Sequence, residues 1–294
     1  MNISTKKKVT PYLLLLPATI FMAVVYIYPL ILTFKYSVSE VQVLTQEATF
    51  VGLENFKKIF SDSTIKSTIF RTLKWVAMTV SFKMIIGTFI AILMTVKMKG
   101  SKIYKFLVLV PWAIPTVVVS IIWSWIFDGN AGYLNYYLMK FHIISEPIHW
   151  LANRGTSFFA TGLVDAWAGL SLVSMIMLSG LNSIPESLYE AAKVDGAGAF
   201  KRFTNITIPG IRKVFLITTI LTTIWTFNSY NIIWVLTEGG PIDATTTMII
   251  KIWKEAFDKF DFGMSSALSV LAFLILTVLS LIYWKYLNSK GEGI

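Results

Sequence analysis

No cysteine occurs among the 294 residues, and histidine is limited to His142 and His149. The first absence excludes a disulfide scaffold, a zinc-thiolate cluster and a thiol nucleophile. The second leaves little imidazole for acid-base work, and the seven-residue spacing of the two His does not fit helical metal ligands. Charge is scarce as well. Only 14% of residues are Asp, Glu, Lys or Arg, against about 25% in soluble domains, which argues against an ordinary water-soluble enzyme. No G-x-x-x-x-G-K-[ST] phosphate loop is present, so this chain offers no such cradle for a nucleotide. Low-complexity tracts are missing, and a hydrophobic content of 55% excludes disorder. What remains is a chain of long apolar runs with a formal net charge of +10.

A helix that crosses the hydrocarbon core needs about 20 mainly apolar residues. Six runs reach that length, at residues 12–34, 75–96, 106–127, 157–181, 214–236 and 264–284. They predict an all-α integral membrane protein, a single domain over 1–294, with both termini on one side of the bilayer. Orientation follows from Lys and Arg, because short basic loops stay in the cytoplasm. With the N-terminus inside, the inner segments 1–11, 97–105, 182–213 and 285–294 hold 14 Lys or Arg against 4 Asp or Glu. The outer segments 35–74, 128–156 and 237–263 hold 11 of each. The whole positive excess then lies on one face, and no nucleic-acid partner is needed to explain it. Lys6-Lys7-Lys8 opens the chain in the manner of a signal peptide, but the 23-residue run behind it is too long and no small-x-small site follows Phe34. An uncleaved anchor helix is expected.

The inner segment 182–213 carries the most specific pattern. Ser183 stands three residues before Glu186 with Pro185 between, a helix-start signature. Gly196 and Gly198 supply the stop. A short cytoplasmic helix over about 184–195 is predicted, with Leu188, Ala191 and Ala192 on one face. Its acids disfavour an anionic lipid surface, so a protein groove is the better partner.

Glu190-Ala191-Ala192, then Gly196 four residues on, then Ile206-x-Ile208-Pro209 resembles the EAA loop of permease subunits from binding-protein-dependent ABC importers. Pro111-Trp112-Ala113-Ile114-Pro115 and Leu236-Thr-Glu-Gly239-Gly240-Pro241 resemble the maltose-type carbohydrate branch. The one departure in the loop is Ile208, where Leu is usual. The resemblance implies the type I importer fold and makes the short helix the coupling helix. Glu190, Ala191, Ala192, Asp195, Gly196 and Pro209 are then the residues that couple to a separate ATPase.

Three spans carry polar chemistry. Pro111 and Pro115 each remove a backbone hydrogen bond and kink the third span, which is tolerated where a helix faces protein or a water-filled path. The fourth carries Asp165, an acid that costs roughly 3 kcal/mol at the bilayer centre and is therefore a candidate functional residue. Asp165, Gly169 and Leu172 share one helical face beside Trp167, suitable for sugar hydroxyls and a ring face. A competing account is an ion pair: Lys83 and Asp165 each lie eight residues into spans of the same direction, about 12 Å deep. The fifth span presents Thr219, Thr222, Thr223, Thr226 and Ser229 as a hydroxyl stripe leading to Asn228 and Asn231, serving either helix packing or a translocation wall. The resemblance places Trp112, Thr116, Asp165, Gly169, Leu172, Thr222, Thr226 and Ser229 on sugar-contacting positions. The acid at 165 stands where the maltose permease has an amide. The outer stretch around 237–260, with Ile252, Ala256, Phe257 and Phe260 as an amphipathic stripe, suits docking.

The implied protein is a multi-pass subunit of a bacterial cell membrane, forming half of a pathway for a di- or oligosaccharide. Its implied partners are a second permease chain, an ATP-binding subunit dimer, an extracytoplasmic sugar-binding protein, the sugar and membrane lipid. No metal or cofactor is expected in this chain, with ATP and Mg bound on the ATPase. Two alternatives stay open: the same architecture carrying a polyol phosphate or acidic saccharide, and a polytopic membrane enzyme using Asp165 and Lys83.

Overall fold

The computed structural model describes residues 3–42, 45, 47–96 and 101–288. Lys97, Lys99, Lys290 and Glu292 of the basic segments lie outside them. The regular structure of the described residues is helical but for one hairpin. Its helices are α1 (Ile3–Met22), α2 (Tyr28–Ser37), α3 (Glu54–Ser61), α4 (Ser63–Thr95), α5 (Ser101–Ala113), α6 (Thr116–Ile126) and α7 (Tyr133–Lys140), followed by α8 (Arg154–Asn182), α9 (Glu186–Val194), α10 (Ala199–Arg202), α11 (Ile208–Phe227), α12 (Asn231–Thr237), α13 (Met248–Phe257) and α14 (Phe262–Asn288). Single π-helical turns, Ala23–Ile27 and Phe203–Thr207, join α1 to α2 and α10 to α11.

Five stretches are long and apolar enough to cross a membrane: Tyr12–Ser37, Ser63–Thr95, Arg154–Asn182, Ala199–Phe227 and Phe262–Leu287. A sixth exists if α5 and α6, bent by 99° at their junction, count as one broken span. The third run is thus not the single kinked helix expected over 106–127. Pro115 cannot donate a ladder hydrogen bond and pushes Ile114 out of the helical region. Pro115 itself is extended at φ −54°, ψ 135° and caps α6, its carbonyl accepting from the Val119 N–H at 3.0 Å. Pro111 stays inside α5. The fifth run differs too: the helix expected over 214–236 stops at Phe227 and resumes as α12. The Asn228 side chain donates to the Ile224 carbonyl at 2.8 Å, a local bond that competes with the helical ladder.

The described chain divides into two compact units, Met1–Lys66 with Ile252–Ile275 and Ser67–Lys251 with Leu276–Ile294. In the first, strands β1 (Ser39–Val41) and β2 (Ala48–Phe50) pair antiparallel with Glu40 opposite Thr49. Asn55 on α3 donates to the Ser37 and Ser39 carbonyls at 3.2 and 3.0 Å, which fixes the turn after α2. Phe34 and Phe273 meet edge to face at 6.1 Å.

The second unit holds the site. Its helices approach closely across small residues, the usual device where lipid removes the hydrophobic drive between helices. A Cβ on Gly87 of α4 would lie 2.7 Å from Val173 Cγ1 of α8, and a side chain on Gly162 would collide with Met78. Around Val119, Val164, Ile232 and Leu236 the rings of Trp123, Trp150 and Trp167 close an apolar cluster. Beside it the 128–150 connection folds on buried Asn135, whose side-chain amide donates to the Gly129 and Ile148 carbonyls and whose oxygen accepts from Trp150 Nε1. Asp128 opens this connection, and hydrogen bonds from the Ala131 and Asn130 amides hold its carboxyl below the usual carboxylate range. Replacing Gly87 by Leu should push α4 off α8 at a cost of about 1–3 kcal/mol, lowering the melting temperature of the detergent-solubilised protein. Gly198→Ala, where a Cβ meets nothing within 4 Å, should leave it nearly unchanged.

Candidate functional site

Lys83 of α4 and Asp165 of α8 are each 5% exposed, and Lys83 Nζ lies 2.6 Å from Asp165 Oδ2. Burying either charge alone would cost several kcal/mol, and partnering offsets that only when the remaining donors and acceptors are also satisfied. Here they are. Lys83 also donates to Thr226 Oγ1 at 2.9 Å, and Ser229 Oγ donates to Asp165 Oδ1 at 2.6 Å. Both carboxylate oxygens are therefore occupied. Trp75, fully buried two turns before Lys83, donates its indole N–H to the Thr226 carbonyl at 3.2 Å, so Thr226 is held at both its hydroxyl and its backbone. Room for the lysine comes from Gly169: a Cβ there would stand 2.7 Å from Lys83 Cε and 3.2 Å from Nζ.

The pair lies in the wall of a cavity of about 260 Å³. Ala168, Gly169 and Leu172 of α8 form one side, and Thr222 and Trp225 of α11 another. Two helix interruptions complete it. Thr116 stands at the start of α6, just past the Pro115 break, and Asn228, Ser229 and Tyr230 are the unwound residues between α11 and α12. Asn231 donates to Thr116 Oγ1 at 3.3 Å, joining the two breaks. The wall thus offers hydroxyls, amides, an indole and one neutralised charge pair, which suits hydrogen bonding and ring stacking more than bond-making chemistry. The one hydroxyl against a carboxylate, Ser229 on Asp165, meets an acid already paired with Lys83, and among the described residues no group of three or more His, Cys, Asp or Glu could hold a metal.

The sharpest sequence pattern folds as an exposed helix. α9 runs from Glu186 to Val194, two residues later than expected at its start. Ser183 does not cap it. Pro185 holds Ile184 out of the helix, and the Ser183 hydroxyl donates instead to the Gly180 carbonyl at 2.7 Å. The stop falls at Gly196, φ +75°, where the Gly196 and Ala197 amides bond back to the Lys193 and Ala192 carbonyls, the two bonds of a Schellman motif. Gly198, at φ −67°, takes no part in the stop and begins α10. Glu190, Ala191 and Asp195 are exposed, as are Leu188 and Val194, while Ala192 is half-buried. Pro209 sits in the first turn of α11.

Residues 83–290 match the family model described as binding-protein-dependent transport system inner membrane component. The chain belongs to this family. The trehalose/maltose transport system permease protein MalF of Thermococcus litoralis is 32% identical over 93% of this chain and 92% of its own length. The sn-glycerol-3-phosphate transport system permease protein UgpA of Yersinia pestis is 31% identical over 95% and 94%. A probable ABC transporter permease protein of Brucella suis is 32% identical over 98% and 99%. Among solved structures, a chain of a bacterial ABC transporter involved in the import of the acidic polysaccharide alginate superposes with a TM-score of 0.85 at 19% identity, covering 98% of this chain and 99% of that one, a likeness of fold. Members of the family are multi-pass permease subunits rather than enzymes, with the ATPase a separate partner. The membrane-enzyme alternative falls away.

Within this permease, the residues expected from sequence to touch substrate divide. Thr116, Asp165, Gly169, Leu172, Thr222 and Ser229 all line the cavity. Thr226 lies behind the wall as a partner of Lys83. Trp112 is not among the lining residues; it is 64% exposed on α5, on the other side of the 99° bend. The hydroxyl stripe of α11 also splits, because Thr219 and Thr223 face a separate apolar groove with Phe215 and Leu279. Trp225 and Tyr230 were not picked out from the sequence. Trp225 follows Thr222 by three residues, which would have placed it on the same face, whereas Tyr230 enters only because the helix breaks. Lys83→Met should leave Asp165 buried without its cation and destabilise the protein by about 3–5 kcal/mol. The Lys83→Met, Asp165→Asn double variant should recover most of that in thermal unfolding; simple addition of the two single losses would show that the charges are not coupled.

Proposed function

We propose that this permease forms half of the translocation path of an ATP-driven importer for a neutral di- or oligosaccharide. The observation that carries the cargo is the cavity wall itself: six residues expected to contact a sugar, an indole for a ring face, and an acid whose charge is already balanced by Lys83. A neutralised pair favours a neutral polyhydroxylated ligand, because neither charge is left to attract or repel an ion. Asp165 can offer an oxygen to a sugar hydroxyl by releasing Ser229.

In this reading the α5–α6 pair counts as a sixth span, the chain is one permease domain in the bacterial cytoplasmic membrane, and both termini and the 182–213 loop face the cytoplasm. The positive excess on that face supports the orientation. Helix α9, with exposed Leu188, Ala191 and Val194 flanked by Glu190 and Asp195, docks on an ATPase subunit. The remaining components are a second permease chain, a second ATPase copy and an extracytoplasmic binding protein. ATP and Mg belong to the ATPase.

A second reading has one specific support. Lys83 is itself a wall residue, and the similar UgpA is named for sn-glycerol-3-phosphate, so an anionic cargo could draw the ammonium away from Asp165. Proteoliposomes of the whole complex with its binding protein decide between them. Accumulation of a neutral disaccharide with no competition from glycerol 3-phosphate is expected, and the reverse would replace the first reading by the second. Glu190→Lys should leave the permease inserted while the ATPase no longer co-purifies with it and uptake is lost. Normal ATPase retention and uptake in that variant would remove α9 from the coupling role.

A further inference from the structure

The segment carrying α9 leaves α8 at Asn182 and rejoins the long helices at Ile208. A push on so extended an excursion would be lost in local bending unless its base were stiff. Three pairings stiffen it. A Cβ on Gly180 of α8 would lie 3.0, 3.1 and 3.2 Å from Val214 Cγ1, Cβ and Cγ2 of α11. One turn further on, the relation inverts: a Cβ on Gly210 would lie 2.7 and 2.9 Å from Ile184 Cδ1 and Cγ1. Each bulky side chain fills the notch left by a glycine on the other segment, and both Val214 and Ile184 are β-branched and stiff at χ1. The third pairing is a hydrogen bond, Tyr189 Oη to Thr207 Oγ1 at 3.0 Å, from α9 itself to the last residue of the π-helical turn before α11. The register is antiparallel throughout, 180 with 214, 184 with 210 and 189 with 207. The same two helices lead to the cavity: Asp165 lies about 22 Å up α8 from Gly180, and Thr226 about 18 Å up α11 from Val214.

We propose that this three-rung ladder is the transmission element of the permease. Gly180, Ile184, Tyr189, Thr207, Gly210 and Val214 are positioning residues that make α9 and the adjoining ends of α8 and α11 move as one body. Displacement of α9 then reaches the cavity walls instead of being absorbed by the loop. The inference rests on the reading of α9 as the ATPase-docking helix and goes beyond it, because none of these six residues belongs to the Glu190-Ala-Ala, Gly196 or Pro209 positions of the loop motif.

The test uses the complete complex in proteoliposomes, reading substrate transported per ATP hydrolysed together with ATPase co-purification. Ile184→Gly and Gly210→Ile should each lower the transport-to-hydrolysis ratio about fivefold or more, and Tyr189→Phe about fivefold, the worth of one net hydrogen bond, with the ATPase retained in all three. The reciprocal double variant I184G/G210I, which restores one bulky and one small partner, should return to near the wild-type ratio. A purely local packing role would lower yield or melting temperature without moving that ratio. Wild-type ratios in Tyr189→Phe and both single swaps, or a double variant that assembles normally yet stays uncoupled, would overturn the ladder and leave α9 docking intact. If the single swaps fail to fold, Tyr189→Phe and the double variant still decide. A wild-type chain that holds no ATPase would overturn the docking reading itself.

Discussion

Two opposite charges buried among apolar helices constrain nearly everything around them. Lys83 and Asp165 cannot be moved apart without leaving an uncompensated ion, so α4 and α8 must present these residues to each other at one depth and rotation. That rotation requires Gly169 where the lysine passes, and it turns Leu172 toward the cavity. Thr226 and Ser229 complete the coordination from the end of α11, and Trp75 fastens the same Thr226 from α4. Three helices are thereby locked together by polar contacts at the point where they wall the cavity.

The second constraint is that a cavity at this depth exposes backbone. Continuous helices would close their own hydrogen bonds, whereas the breaks at Ile114-Pro115 and at Asn228–Tyr230 bring Thr116, Asn228, Ser229 and Tyr230 to the wall. Broken helices survive within a membrane where they are buried in protein or line a wet space. Here they are tied to each other through Asn231 and Thr116, and one is tied to the charge pair through Ser229. Small residues perform a related service elsewhere, admitting Val173 against Gly87, Val214 against Gly180 and Ile184 against Gly210.

Much of this was legible in the order of residues. Apolar runs located most of the long helices, and equal depth from the start of two runs raised a Lys83–Asp165 pair only as a competitor to sugar binding by Asp165. The spacing of Asp165, Gly169 and Leu172 placed all three on the cavity side. What was not legible depended on where helices fail. Pro115 marked a disturbance but not its size, because a proline can kink or break a helix according to what its neighbours offer the freed carbonyls. The break after Phe227 had no proline to announce it, and so Ser229 was counted on a helical stripe that it leaves in order to reach Asp165. Ser183 matched a capping pattern, yet the proline two residues later moved the helix start beyond its reach. Trp112 matched a family position by resemblance, yet it lies exposed on α5, across the bend from the cavity.

The central claim is that the space beside the charge pair is the path of a water-borne substrate, distinct from the apolar groove behind it. The absence of native cysteine allows a direct measurement: single cysteines at Leu172, Thr222 and Thr219 in the assembled complex, reacted with a membrane-impermeant thiol reagent. The account predicts that the cysteines at 172 and 222 react and that transported sugar, delivered by its binding protein, protects them, while the one at 219 stays unreactive. Equal labelling at all three positions with no protection by sugar would contradict it.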